Sequence, residues 1–123
     1  MEIFWEWIVG IVLNGKSAIK AYTSDSLNLK STTKLNEIIE GGLLPQNSLL
    51  EFWVNDDTEY KREIRKAINT VFSTDFYGFC FIYRSSDGTT RLLKCIGFDS
   101  FKTYVTTYTE VNSVGWMDSW IEK

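Results

Sequence analysis

The residue types that most often carry chemistry are scarce in this chain. Its 123 residues include no histidine and only two cysteines. Histidine is the commonest general base and metal ligand, and two cysteines cannot form a Cys-rich zinc site. P-loop, dinucleotide-binding, G-x-S-x-G and H-E-x-x-H patterns are also absent. Catalysis by carboxylates alone needs only two acids, but no spacing singles out a pair. We therefore expect a protein that is not an enzyme and uses no cofactor or metal.

The two cysteines lie on either side of a hairpin signal. Two strand-like runs within 76–98 flank Asp87-Gly88, a dipeptide that favours a tight hairpin turn. A two-residue loop would place Cys80 opposite Cys95, within reach of a disulfide. A three-residue loop would instead pair Cys80 with Lys94 and would separate two arginines that otherwise face each other. The sequence leaves open whether the cysteines form a disulfide or remain two buried thiols that pack as small hydrophobic residues.

Charges are segregated along the middle of the chain. Positions 35–60 hold six acids and no base, and four bases follow within 61–66. Asp56, Asp57 and Glu59 lie at the predicted start of a helix, where the helix dipole stabilises anions. The functional alternative is an acidic patch that steers the protein toward a basic partner.

Five tryptophans are many for a chain of this length. Three of them lie in strand-like runs and are expected in the core: Trp5, Trp7 and Trp53. Trp116 and Trp120 alternate with Asp118 near the end of the chain, and we expect them to be partly exposed. Tryptophan is a frequent interface anchor, so this pair is a candidate contact surface. The alternative is that both tryptophans close the core.

One stretch resembles part of the RNA-recognition-motif family. Tyr77-Gly78-Phe79 is similar to the aromatic-glycine-aromatic centre of the longer motif of that family, and 52–55 resembles the shorter motif. The resemblance implies a βαββαβ sheet whose exposed aromatics stack on bases. The chain departs from the family in that Asp75 and Phe76 replace a basic residue and a glycine. The longer motif also falls on the first strand after the helix instead of the second.

Hydrophobic periodicity predicts one α+β domain over 1–123. The expected sheet is rich in antiparallel pairs and has about five strands, including two hairpins at 3–23 and 76–98. Helices are expected at about 33–40, 57–73 and 99–108, and Asp56 with Glu59 would cap the second one. Threonines weaken the third helix because β-branched residues lose side-chain freedom in helices. A strand over 99–112 is the alternative there, and a helix over 2–13 is the alternative to the first strand.

Composition restricts the partners. The formal net charge is −3, which disfavours nucleic acid and anionic membranes as partners. The uncharged apolar run 7–13 is too short to span a bilayer and lacks the basic flank of a signal peptide. Few cysteines and no export signal lead us to expect the cytoplasm.

The function that these features favour is binding to another protein with a basic surface. We expect a stoichiometric inhibitor, such as a toxin-neutralising immunity protein or a phage-encoded inhibitor. The expected contact residues are acids and tryptophans: Asp56, Asp57, Glu59, Trp116, Asp118 and Trp120. The alternative is an RNA-binding or small-ligand-binding domain that uses an aromatic sheet face. The sequence also permits a homodimer.

Overall fold

The computed structural model describes residues 19–98, 101–109 and 120–123. The part of the predicted 3–23 hairpin before residue 19 lies outside the described residues, as do Trp5, Trp7, Trp116 and Asp118. Within the described parts of the chain there are six strands and two helices, which is an α+β arrangement as predicted. In chain order they are β1 (Lys20–Tyr22), α1 (Leu35–Ile39), β2 (Ser48–Val54), α2 (Glu59–Phe72), β3 (Gly78–Arg84), β4 (Thr90–Gly97), β5 (Thr103–Thr109) and β6 (Ile121–Glu122).

The six strands form one sheet in the order β1-β2-β3-β4-β5-β6. Only β1 and β2 are parallel, and every other neighbouring pair is antiparallel. β1 lies within the segment predicted as the first hairpin, 3–23. The parallel β1–β2 pair is joined through α1, as parallel strands require a crossover connection.

The predicted central hairpin is confirmed as β3 and β4. Cys80 is paired with Cys95, which is the register of the two-residue-loop alternative. The turn itself is wider, because the last ladder bond is donated by the Ser85 N–H to the Thr90 carbonyl. Within the turn the Gly88 N–H donates to the Ser85 carbonyl. Gly88 has a φ of 80°, a conformation that glycine adopts without steric cost.

Both helices within 33–73 are confirmed, but the second begins later than predicted. The residue that caps α2 is Thr58 and not Asp56. The first N–H groups of α2 are satisfied by loop carbonyls instead of a side chain. Glu59 N–H donates to the Ser31 carbonyl at 2.8 Å and Tyr60 N–H to the Thr33 carbonyl at 3.0 Å. No sequence rule for capping could reveal this contact, because the acceptors lie far away along the chain.

The predicted helix at 99–108 is wrong, and the strand alternative is correct. β5 pairs with β4 along its whole length. Its residues alternate in burial, with Tyr104, Thr106 and Tyr108 inside and Val105 and Thr107 more exposed. The threonines and valine that weakened the helix prediction suit a pleated sheet, where branched side chains pack well.

The main core lies between one face of the sheet and the two helices. We call this face the helix-covered face. From β2 it receives Leu50, Phe52 and Val54, and from α2 it receives Tyr60, Ile64 and Ile68. The rings of Phe52 and Tyr60 meet edge to face at 5.2 Å. The other face of the sheet, the second face, has buried Leu49 and Phe81 at its centre.

Candidate interaction surface

The acidic cluster predicted as a contact surface does lie on the surface, at the start of α2. Asp56 and Asp57 have side chains that are 57% and 55% exposed. Each acid of the cluster nevertheless has a basic partner within the helix. Asp57 pairs with Lys61 at 3.2 Å, Asp56 with Arg65 at 3.1 Å and Glu59 with Arg62 at 2.9 Å. The segregation of acids and bases along the sequence is therefore largely neutralised in space. Spacings of three or four residues bring Glu59 to Arg62 and Asp57 to Lys61, whereas Asp56 reaches Arg65, nine residues further along, from the loop before α2.

Arg65 connects the acidic cluster to the chain that enters β3. Its guanidinium pairs with Asp56 and with Asp75, and it donates to the Phe76 carbonyl at 3.0 Å. The same group lies 4.0 Å from the centre of the Tyr77 ring. Burial alone would lower the pKa of Arg65, but Asp56, Tyr77 and Asp75 together raise it by more, so that the net shift of the pKa is upward. Arg65 therefore fixes α2 to the end of the sheet where β2 finishes and β3 begins.

Of the two C-terminal tryptophans, only Trp120 falls within the described residues. Trp120 is 7% exposed and belongs to the main core. The expectation that it is partly exposed is therefore wrong, and the core alternative is correct. Trp120 offers little surface to a partner.

Exposed aromatic residues lie instead at one corner of the second face. Trp53, Phe79 and Phe98 form what we call the aromatic corner. Trp53 is 37% exposed, Phe79 51% and Phe98 57%. The Trp53 ring is 5.0 Å from that of Phe79 in an edge-to-face arrangement, and 5.8 Å from that of Phe98. Three touching aromatic rings that all remain in water form a contiguous apolar patch, which is typical of a binding surface.

Strand geometry positions these rings. Trp53 and Phe79 are direct partners in the β2–β3 ladder, and Phe98 immediately follows β4. Alternation puts odd-numbered β2 residues on the second face, away from buried Phe52 and Val54. The prediction that Trp53 is a core residue is thus wrong. A signal for its outward position was present in the sequence, since the neighbouring residue on the same face is Glu51.

A further exposed ring lies in the β4–β5 connection. Phe101 is 79% exposed, and its N–H donates to the Gly97 carbonyl at 3.0 Å. Its φ is 56°, a left-handed conformation that is uncommon for a bulky residue. Phe98 and Phe101 therefore occupy the same short connection, at the same end of the sheet.

The aromatic corner and the acidic cluster lie at the same end of the sheet. β2 ends at Val54, next to Gly78 at the start of β3, and the chain continues directly from Val54 to Asp56 and Asp57. Asp75, whose side chain is 76% exposed, precedes β3. Apolar rings on the second face and carboxylates beside α2 thus lie at the same end of the sheet, which sequence spacing alone did not indicate.

The cysteines form a disulfide between β3 and β4. Cys80 and Cys95 are bonded, with Cα atoms 4.2 Å apart, and both residues are fully buried. The alternative of two free thiols does not hold in this structure. The bond lies on the helix-covered face, beneath the outward-facing Phe79.

The turn of the β3–β4 hairpin encloses its own carboxylate. Asp87 accepts hydrogen bonds from the Ser85 hydroxyl at 2.7 Å, the Thr89 N–H at 3.1 Å and the Thr89 hydroxyl at 2.9 Å. These bonds lower the pKa of Asp87 from 3.8 to about 2, the Ser85 bond contributing most. The carboxylate occupies the donors that an external anion would need.

A pocket of about 500 Å³ lies on the second face, over β4 and β5. Its lining combines apolar groups with two lysines: Leu92, Lys94, Thr103, Val105 and Lys123. No group of three or more histidine, cysteine or acidic side chains suited to a metal occurs among the described residues. The described part of the chain also contains no helix that could cross a membrane.

Comparisons with protein-family models, with curated proteins and with solved structures gave no match.

Proposed function

We propose that this protein is a non-catalytic protein-binding module that acts as a stoichiometric inhibitor of another protein. Immunity proteins that neutralise toxins, and inhibitors encoded by phages, are proteins of this kind. The observation that supports the proposal most directly is the aromatic corner, with its three touching and exposed rings.

The composition of this region matches the anatomy of a protein interface. Interfaces have an apolar centre rich in aromatic side chains and a polar rim, and tryptophan is prominent among the residues that dominate binding energy. Trp53 and its two neighbours supply such a centre. Asp56, Asp57 and Asp75 supply a rim of carboxylates that are more than half exposed.

The rim favours a partner with basic side chains around an apolar site. The intrahelical bases reduce the charge of the rim without covering its oxygens, so a partner lysine or arginine can still approach. Complementary charges of this kind mainly raise the association rate and exclude wrong partners. Affinity is expected to come chiefly from burial of the rings.

The test is affinity purification from the native host with matched variants of the full chain. One dominant protein, in near-equal amount, should co-purify with the wild type. The double variant Trp53→Ala/Phe79→Ala should bind that protein at least about 30-fold more weakly, as expected for hot-spot residues. Isothermal titration with the purified partner measures the loss.

Val71→Ala is the matched control. Val71 is a similarly exposed apolar residue, at 42%, but it lies on α2 in the helical layer. It should leave binding unchanged. Equal retention of the partner by the wild type and the corner double variant, with both folded by circular dichroism, would reject the corner as the contact surface.

The rim is tested separately. Glu51→Lys changes the charge on the second face close to Trp53, and the described ion pairs do not include Glu51. Asp57→Lys changes the rim but also breaks the pair with Lys61. Both should slow association and make it less sensitive to salt. If the protein that co-purifies with the tagged chain is an untagged copy of the same chain, the corner serves self-association, and size-exclusion chromatography should then show a homodimer.

Nucleic-acid or small-ligand binding is the second candidate function. It is favoured by the aromatics on adjacent strands of one sheet face, an arrangement on which bases can stack. The pocket with Lys94 and Lys123 lies on the same face and could contact a phosphate or another anion. Arg91, in contrast, is 2% exposed and lies on the helix-covered face.

A charge reversal distinguishes the two candidates. Lys94→Glu/Lys123→Glu should abolish binding to a fluorescent single-stranded oligonucleotide under the second hypothesis, and that binding should weaken steeply with salt. Under the inhibitor hypothesis the wild type has no measurable affinity for the oligonucleotide. A purified sample whose 260/280 absorbance ratio falls after nuclease treatment would favour nucleic acid.

The cytoplasmic location expected from the sequence remains a prediction. The disulfide is an observation against it, because thiol reductants keep most cytosolic cysteines reduced.

A further inference from the structure

The disulfide lies at the centre of the fold and not at its surface. Cys80 and Cys95 have no exposed surface, and they belong to the same cluster as Ile82, Leu93 and the core residues of α2. They are direct partners across two neighbouring strands of the six-stranded sheet. The bond therefore joins strands that backbone hydrogen bonds already hold together.

Burial restricts when this bond can form. An oxidant must contact a cysteine sulfur, because disulfides form by attack of a thiolate through a mixed disulfide. In the folded domain neither sulfur is accessible, since Ile64 and Ile68 of α2 complete the core over the sheet. Oxidation is therefore fast only before the helical layer closes over β3 and β4, and afterwards it requires the core to open.

We infer that this protein folds in an oxidising compartment and forms its disulfide during folding. The thiolate of one cysteine attacks the disulfide of an oxidant, either a thiol oxidoreductase or glutathione disulfide, and forms a mixed disulfide. The second thiolate then displaces the oxidant sulfur. One S–S bond forms in the chain and one is lost from the oxidant, which takes up the two electrons and leaves as the thiol form. The two thiol protons pass to solvent or to the released thiols.

The same burial protects the bond after folding. A reductant would also have to reach a sulfur, so the folded domain keeps its disulfide in a reducing medium for as long as it stays folded. The chain can therefore fold in one compartment and act in another. This inference does not depend on the proposed function, because it concerns the core and not the aromatic corner.

The first experiment counts thiols in protein taken directly from the native host. Cells are quenched in acid, and the full chain is denatured and alkylated with N-ethylmaleimide, with or without prior reduction. We expect no adduct without reduction and two after reduction, read by intact mass. A protein of known free thiols from the same lysate monitors oxidation during handling. Two adducts without reduction would overturn the inference.

A second experiment tests the order of oxidation and packing. The purified full chain is reduced and either kept unfolded or refolded in reductant, and glutathione disulfide is then added in excess. Oxidation of the refolded chain should be slower by at least about tenfold, because it must wait for opening of the core. Equal rates would show that the sulfurs are accessible in the folded state and would also overturn the inference.

Discussion

Strand β3 shows the difference between the two faces of the sheet within a few residues. Cys80 and Ile82 point to the helix-covered face and are fully buried, whereas Phe79 is 51% exposed on the second face. All three residues are apolar, so hydrophobicity alone does not distinguish them. Their different environments follow from the position of α2, which covers one face. Apolar residues on the covered face stabilise the fold, and those at the uncovered corner are available for binding.

The two faces should differ most in how much their side chains contribute to the free energy of unfolding. Ile68→Ala removes a fully buried side chain from the contact between α2 and the sheet. Loss of apolar burial and the resulting cavity should cost about 2–5 kcal/mol of unfolding free energy. Urea denaturation followed by circular dichroism measures the change. A loss as small as that of an exposed residue would mean that α2 packs loosely on the sheet.

The disulfide should make the next largest contribution to the covered face. The double variant Cys80→Ala/Cys95→Ala opens a loop with a sequence separation of 15, for which the loss of chain restriction predicts about 3 kcal/mol. The difference is measured by urea unfolding of both proteins without reductant. Reduction of the unfolded wild type before refolding should reproduce most of the loss. No loss in either case would show that the bond does not stabilise the native state.

Replacement of Arg65 tests how α2 is held to the end of the sheet that carries the aromatic corner. Its side chain is 18% exposed and contacts Asp56, Asp75 and the Phe76 carbonyl. Arg65→Ala should lower stability by about 1–3 kcal/mol, as expected for charge-assisted bonds of a mostly buried group. Arg62→Ala is the control, because its pair with Glu59 and its bond to the Asp56 carbonyl are both exposed and should be worth less than about 1 kcal/mol. Similar losses in both variants would contradict the bridging role of Arg65.

Phe79→Ala should have a small effect on stability despite the size of the ring. The side chain is half exposed, and its main described ring contact is with Trp53. We expect a loss of about 1 kcal/mol, the usual worth of an aromatic pair. Urea denaturation checks this value against that of Ile68→Ala. A loss as large as that of Ile68→Ala would show that Phe79 mainly stabilises the fold, and it would argue against a role of Phe79 in binding.

The smallest effect on stability is expected from Asp87, in the turn of the β3–β4 hairpin, and this effect depends on pH. The pKa of Asp87 is about 2 in the folded protein against an ordinary value of 3.8. A carboxyl group with a lowered folded pKa stabilises the fold above its unfolded pKa, and this contribution disappears as the pH falls from about 4 to about 2. Asp87→Asn should therefore be less stable than the wild type at neutral pH, and the difference should shrink across that window. Urea midpoints at several pH values measure it, and a gap that is constant with pH would contradict this origin.

Local sequence patterns correctly predicted the strands and helices whose conformation depends mainly on their own residues. The hairpin at 76–98 followed from apolar strands around Asp-Gly, and its strand register was one of two alternatives that the sequence offered. The helix at 57–73 followed from apolar residues at helical spacing. The prediction failed at 99–108, where Phe101, Tyr104 and Tyr108 fit a helical stripe. Pairing of that segment with β4 decided in favour of a strand.

The candidate site was harder to predict than the fold. Sequence reasoning placed Trp53 in the core and Trp120 at the surface, and the structure shows the reverse. Both tryptophans lie among apolar residues, so composition could not distinguish their exposure. The acids of the cluster were identified correctly as neighbours. Their ion pairs with Lys61, Arg62 and Arg65 depend on side-chain placement along α2.

The sequence by itself determined the α+β class, the central hairpin and the scarcity of catalytic groups, because these depend on residue type and short-range spacing. Only the tertiary structure decided which sheet face the helices cover, and hence which aromatics remain exposed. The physical reason is that burial depends on contacts between segments distant in sequence, such as α2 with β2 and β3. The disulfide depended on both sequence and tertiary structure. The sequence allowed two registers for the hairpin, and the register of the assembled sheet is the one that pairs Cys80 with Cys95.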